Sequence, residues 1–468
     1  MRSFLLALCV ALHASAAHAQ HGFWQPDQRV LVTSFLHARS IATDQRHVFI
    51  ATTTGLEIYD QTFRRWLPPS TIEDGYPALE RPARIAYDAR EGGIWLLTEA
   101  QTLYTYNHAM QRWQQRFPTD LPPDVRTTML GGPSDRDPAL QIMRNVAGRD
   151  GAGRTWQVTA IVPAERNGTY WASSYGGNFA FVDTRNLSSE SYTFGTVSQG
   201  VSALTRDPDG NIWFGGDGDG PRNGVARADR ALQRWQHFEA GVQEAPRGRV
   251  HAFSVSPFGL AVAALDGTYS YREQAWRRVT DTEARALVYT TDRLWIGGRG
   301  PLGWLDQAEQ FHRAELPLQT VFALAARNDS LWIGGESGLY RWVQGNVQQL
   351  ANGSVLDIAM ARDTVVVLTR SGVQTWNSAG MSLPLRTAAL ARVGRPTAIA
   401  SEGDRANQGA RVWIGGTDGL AEWNTADNTW RYLTIPGDIP VGPILDVLAD
   451  GEFVWVATPA GALRLEWN

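Results

Sequence analysis

Short apolar runs, each followed by small residues and a glycine turn, recur along the whole chain. One copy reads Leu331-Trp332-Ile333-Gly334-Gly335-Glu336-Ser337-Gly338-Leu339-Tyr340, and others begin Leu294-Trp295-Ile296-Gly297-Gly298, Ile212-Trp213-Phe214-Gly215-Gly216 and Val412-Trp413-Ile414-Gly415-Gly416. Within a run such as Ile94-Trp95-Leu96-Leu97 both parities are apolar. Successive side chains of a strand point to opposite faces, so such a run needs cover on both sides. A solvated sandwich would alternate apolar and polar positions, and a helix would show a 3.6-residue period; neither pattern is present. Looser copies centre on Phe49, Trp95, Trp171, Ala261, Val366 and Trp455, giving ten anchors spaced 46, 76, 42, 48, 34, 37, 34, 47 and 42 residues apart.

Apart from the 76, these intervals are long enough for four short strands, the length of a propeller blade. A strand such as Val321-Phe322-Ala323-Leu324 and then a polar turn such as Asp207-Pro208-Asp209-Gly210-Asn211 precede the anchor, and an outer strand carries another tryptophan, as in Gln233-Arg234-Trp235. The pattern predicts an all-β propeller of about ten four-stranded blades spanning 20–468, with an insertion at about 118–154. The tenth copy lacks an outer strand, and Gly22-Phe23-Trp24-Gln25 stands ahead of the first copy without a blade of its own. The expectation is one ring closed by that N-terminal segment, since an open edge invites aggregation; the alternative is two smaller propellers.

Composition changes the picture in three places. Sixteen of the 19 tryptophans fall on repeat positions, so they are expected to pack the core and not to stack on sugars. The chain holds no lysine and one cysteine, Cys9, which leaves no lysine amine for Schiff-base or phosphate-loop chemistry. A net charge of −4 offers no footprint for nucleic acid. Residues 1–19 read as a secretory signal: Arg2, a nine-residue apolar stretch over 4–12, and Ala17-His18-Ala19 at its end. No later run could cross a membrane, and the expected location is the periplasm, the exterior or a peripheral attachment to the cell surface.

The segment Asp209-Gly210-Asn211-Ile212-Trp213-Phe214-Gly215-Gly216, together with Leu331-Trp332-Ile333-Gly334-Gly335 and the following Gly338-Leu339, resembles the two-component regulator propeller repeat. The resemblance implies an outward-facing bacterial propeller that binds ligands or partners. Nothing resembling the transmembrane or kinase part of a sensor follows the last copy up to Asn468, so a signalling role would call on a separate partner.

Function is expected where copies deviate. The 118–154 insertion concentrates both charge signs, with Asp135, Arg136, Asp137, Arg144 and Arg154 in or at its edge, and Trp156 just beyond. Glu73, Asp74 and Tyr76 lie on another long connection. These nine are the expected binding residues, because Arg offers a planar fork to carboxylate or sugar oxygens. Asp217 and Asp219 on a glycine loop could take Ca2+, although that ion wants six to eight oxygens; otherwise no cofactor is expected. Asp357 and Asp446 replace the small residue found elsewhere nine positions before the anchor. Two carboxylates near a channel could serve as general acid and base, or simply bond backbone. Other enzyme signatures are missing. The expected function is non-catalytic binding of a protein, peptide or glycan; a carboxylate-dependent polysaccharide hydrolase or lyase is the alternative.

Overall fold

A computed structural model describes residues 29–467 apart from 108–111, 131–147, 151, 219–221, 257–258, 309, 315, 317, 328–329, 384–386 and 403–409. It contains ten four-stranded antiparallel sheets. Blades 1 to 9 span 38–70, 82–116, 157–192, 201–239, 250–280, 284–313, 321–352, 355–383 and 396–434, each with its strands in chain order. Blade 10 takes three strands from 446–466 and its outer strand from Val30–Val32, which pairs antiparallel with Ala462–Arg464. An N-terminal strand does complete the last blade, at 30–32; the expected segment 22–25 and the signal-like residues 1–19 lie outside the described residues.

The second strand of each blade carries the anchor, and five anchor indoles (Trp213, Trp295, Trp332, Trp413, Trp455) are fully buried. The glycine that recurs after the anchor opens the third strand at positive φ: 150° at Gly224, 152° at Gly267 and at Gly338, 139° at Gly461. A Cβ there would run into a carbonyl oxygen of the outer strand, for example that of Phe238 at Gly224. Only glycine meets both conditions.

The arrangement of the blades corrects the expectation of one ring of ten. Innermost strands of blades 4 to 10 lie side by side in order, and blade 10 then packs against blade 4, closing a ring of seven. Blades 1 to 3 form a separate stack in the order 3-1-2, with the first strand of blade 1 between those of blades 3 and 2. The expectation placed every blade beside its chain neighbour. Blade 4 instead takes blade 10, through a hydrogen bond from the Leu204 N–H to Asp446 (2.7 Å) and an ion pair between Arg206 and Asp450. The same recurring stitches run through both units. A hydroxyl on the bulge of the innermost strand donates to the next blade: Ser202 to Val250 O (2.7 Å), Thr397 to Ile444 O (2.6 Å) and, in the stack, Thr159 to Ala38 O (3.0 Å).

Two segments join the units. Residues 33–37 leave the ring and 193–200 return to it, side by side: the Thr196 N–H donates to Thr33 O at 3.0 Å, Ser34 Oγ to Val197 O at 3.2 Å, and Phe35 lies 5.5 Å from Phe194. Around them the outer parts of blades 1, 3 and 4 share a core with Trp66, Trp171, Phe179, Phe214 and Trp455. The free side of blade 2 is covered by the helix Pro123–Leu130, whose Val125 and Met129 bury against Ala86, Trp95 and Leu103.

Candidate functional site

Because every blade runs its strands in the same order, the connections between blades emerge at one end, together with the turns between second and third strands. Ring and stack present this end on the same side. Arg29, ahead of the closing strand, donates to Glu73 in the connection after blade 1 (2.7 Å) and also to the Asp438 carbonyl in the connection after blade 9.

Where stack meets ring on this end, Glu239 takes a bidentate pair from Arg154 (2.9 and 2.8 Å) and a second pair from Arg222. Burial would raise this carboxyl, but the two guanidiniums outweigh it and hold it down at about 2. Arg222 also donates to Gly176 O in blade 3. The Trp156 ring has both guanidinium carbons 5.2 Å from its centroid, while its Nε1–H donates to Asp150 at 2.8 Å. Nearby, burial pushes His237 down to about 4 while its Nε2 sits 2.8 Å from Gly195 O. The cluster saturates its own polar atoms. It binds stack to ring, and its charges are largely spent on each other.

Beside it lies an open groove of about 1020 Å3 between the 240–249 connection and the turn at 264–267 of blade 5, lined by Val242, Gln243, Arg247, Asp266, Tyr269 and Arg278 among others. Tyr269 donates to Asp266 at 2.6 Å, with the Arg278 guanidinium 5.9 Å from its ring centre. Val242 stands open in it at 42% exposure, and Leu265, at 53%, lies beside Gly248 at its margin. None of Arg247, Asp266, Tyr269 and Arg278 is among the nine residues expected from sequence, although the connection over 241–249, which carries Arg247, stands out there as one of the long insertions on the expected binding face.

The expected binding residues are scattered. Tyr76 is buried against Trp113 and donates to Thr52 O at 2.6 Å; Asp74 accepts from the Thr71 N–H at 2.8 Å, capping its own turn; Glu73 is held by Arg29. Arg154 and Trp156 do meet, in the cluster above. Asp135, Arg136, Asp137 and Arg144 lie outside the described residues, as does Asp219. Asp217 packs over Gly200, and among the described residues no three His, Cys, Asp or Glu side chains converge as metal ligands would.

Asp357 and Asp446 sit at equivalent places on innermost strands of blades 8 and 10. Each accepts from its own following N–H (2.8 Å in both) and from the next blade, Asp357 from Ile399 N–H at 3.0 Å and Asp446 from Leu204 N–H at 2.7 Å. Ser40 does the same in the stack, accepting from Ile85 N–H at 3.1 Å. Burial pushes Asp357 up to about 6; burial, with Asp357 adding to it, pushes Asp446 up to about 7. All four oxygens accept backbone hydrogen bonds, which makes these carboxyls inter-blade clamps.

A family model described as two component regulator propeller matches residues 196–218, the return segment and first hairpin of blade 4, so the repeat read from Asp209 to Gly216 is borne out there. The solved extracellular domain of BT4673 from B. thetaiotaomicron, described as belonging to a one component system, is similar at 12% identity with a TM-score of 0.46, over 92% of this chain and 69% of that one. The Pan2 WD40 domain of Neurospora crassa is similar at 12% identity and a TM-score of 0.43, over 57% of this chain and 88% of that one. No curated protein matches in sequence. Among the described residues no helix is long and apolar enough to cross a membrane.

Proposed function

We propose that this chain is an exported, non-catalytic propeller that binds a polypeptide segment of a partner in the groove between the 240–249 connection and blade 5. The observation that carries the reading is one groove lined by open Val242 with Arg247, Arg278 and Asp266, with Leu265 exposed on the adjoining turn. An apolar anchor point rimmed by both charge signs suits a peptide; a glycan would use the polar rim without the apolar contact. Export is supported by the signal-like residues 1–19 and a following chain free of cysteine. The non-catalytic reading is supported by the engagement of Asp357 and Asp446 with backbone N–H groups of adjoining blades.

The test is capture of partners from envelope extract by the wild type and by a Val242→Asp, Leu265→Asp double variant that melts normally. Capture falls at least tenfold in the variant if the groove is the site. Undiminished capture means the wrong face. Turnover of a cell-wall polysaccharide that disappears in a folded Asp446→Asn variant would restore the hydrolase or lyase alternative.

A further inference from the structure

At the end away from the blade-to-blade connections, two junctions of the ring carry an ion pair between adjoining blades. Arg206 of blade 4 pairs with Asp450 of blade 10, and Arg327 of blade 7 lies 3.3 Å from Asp363 of blade 8. Blades 1 and 3 of the stack adjoin without being consecutive, and no such pair joins their turns among the described residues. Arg46, in the turn between the first two strands of blade 1, is taken by Asp60 of its own blade at 2.8 Å. Glu165 and Arg166, in the corresponding turn of blade 3, form no ion pair with any described residue, and neither does Arg64 in the turn before the outer strand of blade 1.

A cavity of about 210 Å3 opens between these two blades. The charged residues on its lining are Arg64 from blade 1 and Glu165, Arg166 and Glu190 from blade 3, all exposed. Two of them, from opposite sides, bear on one point of the wall: burial raises the Tyr59 hydroxyl, Glu190 adds to the rise and Arg64 opposes it. The wall itself is fixed. Trp171 Nε1–H donates across the blades to Gln61 Oε1 at 3.1 Å, Gln61 Nε2 donates to Gln45 O at 3.3 Å, and the Tyr59 and Tyr192 rings lie 5.0 Å apart. The contrast with the Glu239 cluster is in how charge is used, since here both signs stand around a formed cavity unspent on each other. A ligand of one sign would be drawn by half of this rim and repelled by the other half, whereas a ligand of both signs meets both. The volume lies below the lower limit of about 300 Å3 for drug-sized ligands, so the occupant is smaller than those.

We propose that this cavity binds a small zwitterion of amino-acid size, its carboxylate held by Arg64 and Arg166 and its ammonium by Glu165 and Glu190. The guanidinium fork matches a carboxylate, and hydrogen bonds between charged partners are about twice as strong as neutral ones. The site lies at the opposite end of the molecule from the groove of the proposed function and does not depend on it. Such a zwitterion arrives either as a free amino acid or as a dipeptide.

Titration of the purified protein with glycine, L-alanine, L-serine, L-leucine and the dipeptide alanyl-alanine, followed by ligand-observed NMR, tests the site. At least one should bind one-to-one with a Kd of about 0.1–1 mM, the range open to a ligand of this size. For the tightest of them, the N-acetyl derivative lacks the ammonium and the amide lacks the carboxylate, and each should bind at least tenfold more weakly. The double variants Arg64→Gln, Arg166→Gln and Glu165→Gln, Glu190→Gln should each weaken it at least tenfold while melting as the wild type does, because all four side chains are exposed. Should a double variant not fold, Arg166→Gln and Glu165→Gln alone carry the same test. The dipeptide separates the sources: tighter binding than alanine assigns a short peptide, and weaker binding assigns a free amino acid. Absence of binding by all five, equal binding of a derivative with one charge, or undiminished binding in either folded variant overturns the proposal.

Discussion

A blade in the ring has two neighbours, and a blade at the end of the stack has one. The ring therefore buries both faces of every sheet with its own repeats, whereas the stack must find other cover for its ends. Blade 2 borrows the helix Pro123–Leu130, with Val125 2% and Met129 1% exposed. On the free side of blade 3, Val158, Ile161 and Tyr170 remain only partly buried around Ala172, Ala180 and Val182. The difference extends to the clamps between blades. Ring carboxyls Asp357 and Asp446 accept backbone N–H groups, while the stack buries Glu57 with a single contact to Asn178 Nδ2 at 3.1 Å. Burial pushes Glu57 well above the usual carboxylate range. Closure thus substitutes for ad hoc cover: a closed ring has no end blades, whereas a stack spends extra chain on each end.

The largest expected effect comes from separating the two units. Since Thr33 and Thr196 are already hydrogen-bonded neighbours, a short glycine link between them, with 34–195 deleted, should leave a ring that melts cooperatively. The stack expressed alone over 34–195 should show no cooperative transition by circular dichroism. A ring that fails to fold, or a stack that melts on its own, would reverse the comparison.

Next in size is the cluster that fastens them. Glu239→Gln leaves Arg222, only 9% exposed at its side chain, without its carboxylate. Breaking a buried pair of this kind costs about 3 kcal/mol. Calorimetry should then resolve two transitions, the stack first. A single transition at the wild-type temperature would show that the shared aromatic core carries the joint.

The smallest effect is in pH dependence. A carboxyl raised by folding binds protons more tightly in the native state, so stability is greatest below the unfolded value and falls as pH rises toward the folded one. For the ring this window runs from about 4 to about 7, set by Asp357 near 6 and Asp446 near 7. For the stack, burial raises Glu57 in the same direction, so its contribution too is lost as pH rises. Glu57→Gln should raise the melting temperature more at pH 8 than at pH 4. An equal shift at both would mean that Glu57 does not titrate as its burial dictates.

The blades were legible in sequence because each repeats one local rule: an aromatic or other apolar anchor, small residues, and a glycine where φ must be positive. Their grouping was not, because it rests on contacts between distant residues. Nothing near Asp446 marks Leu204 as its partner, and nothing near Thr33 marks Thr196. The 76-residue interval between Trp95 and Trp171 did announce a disturbance, and it falls within the three blades that left the ring. Loop position misled for Tyr76, whose long connection folds back so that the ring is buried against Trp113.

The outer strand of blade 10 is held by only three register pairs, Val30 to Arg464, Leu31 to Leu463 and Val32 to Ala462. The pairing is antiparallel, so Arg29 and the chain beyond Arg464 leave it at the same end. Tension drawn between those two points loads the bonds one after another, as a zipper is opened, whereas tension between Arg29 and the Gly461 end of the facing strand acts along the strand and loads them together. One short strand therefore gives the molecule a direction in which it yields to force and another in which it resists.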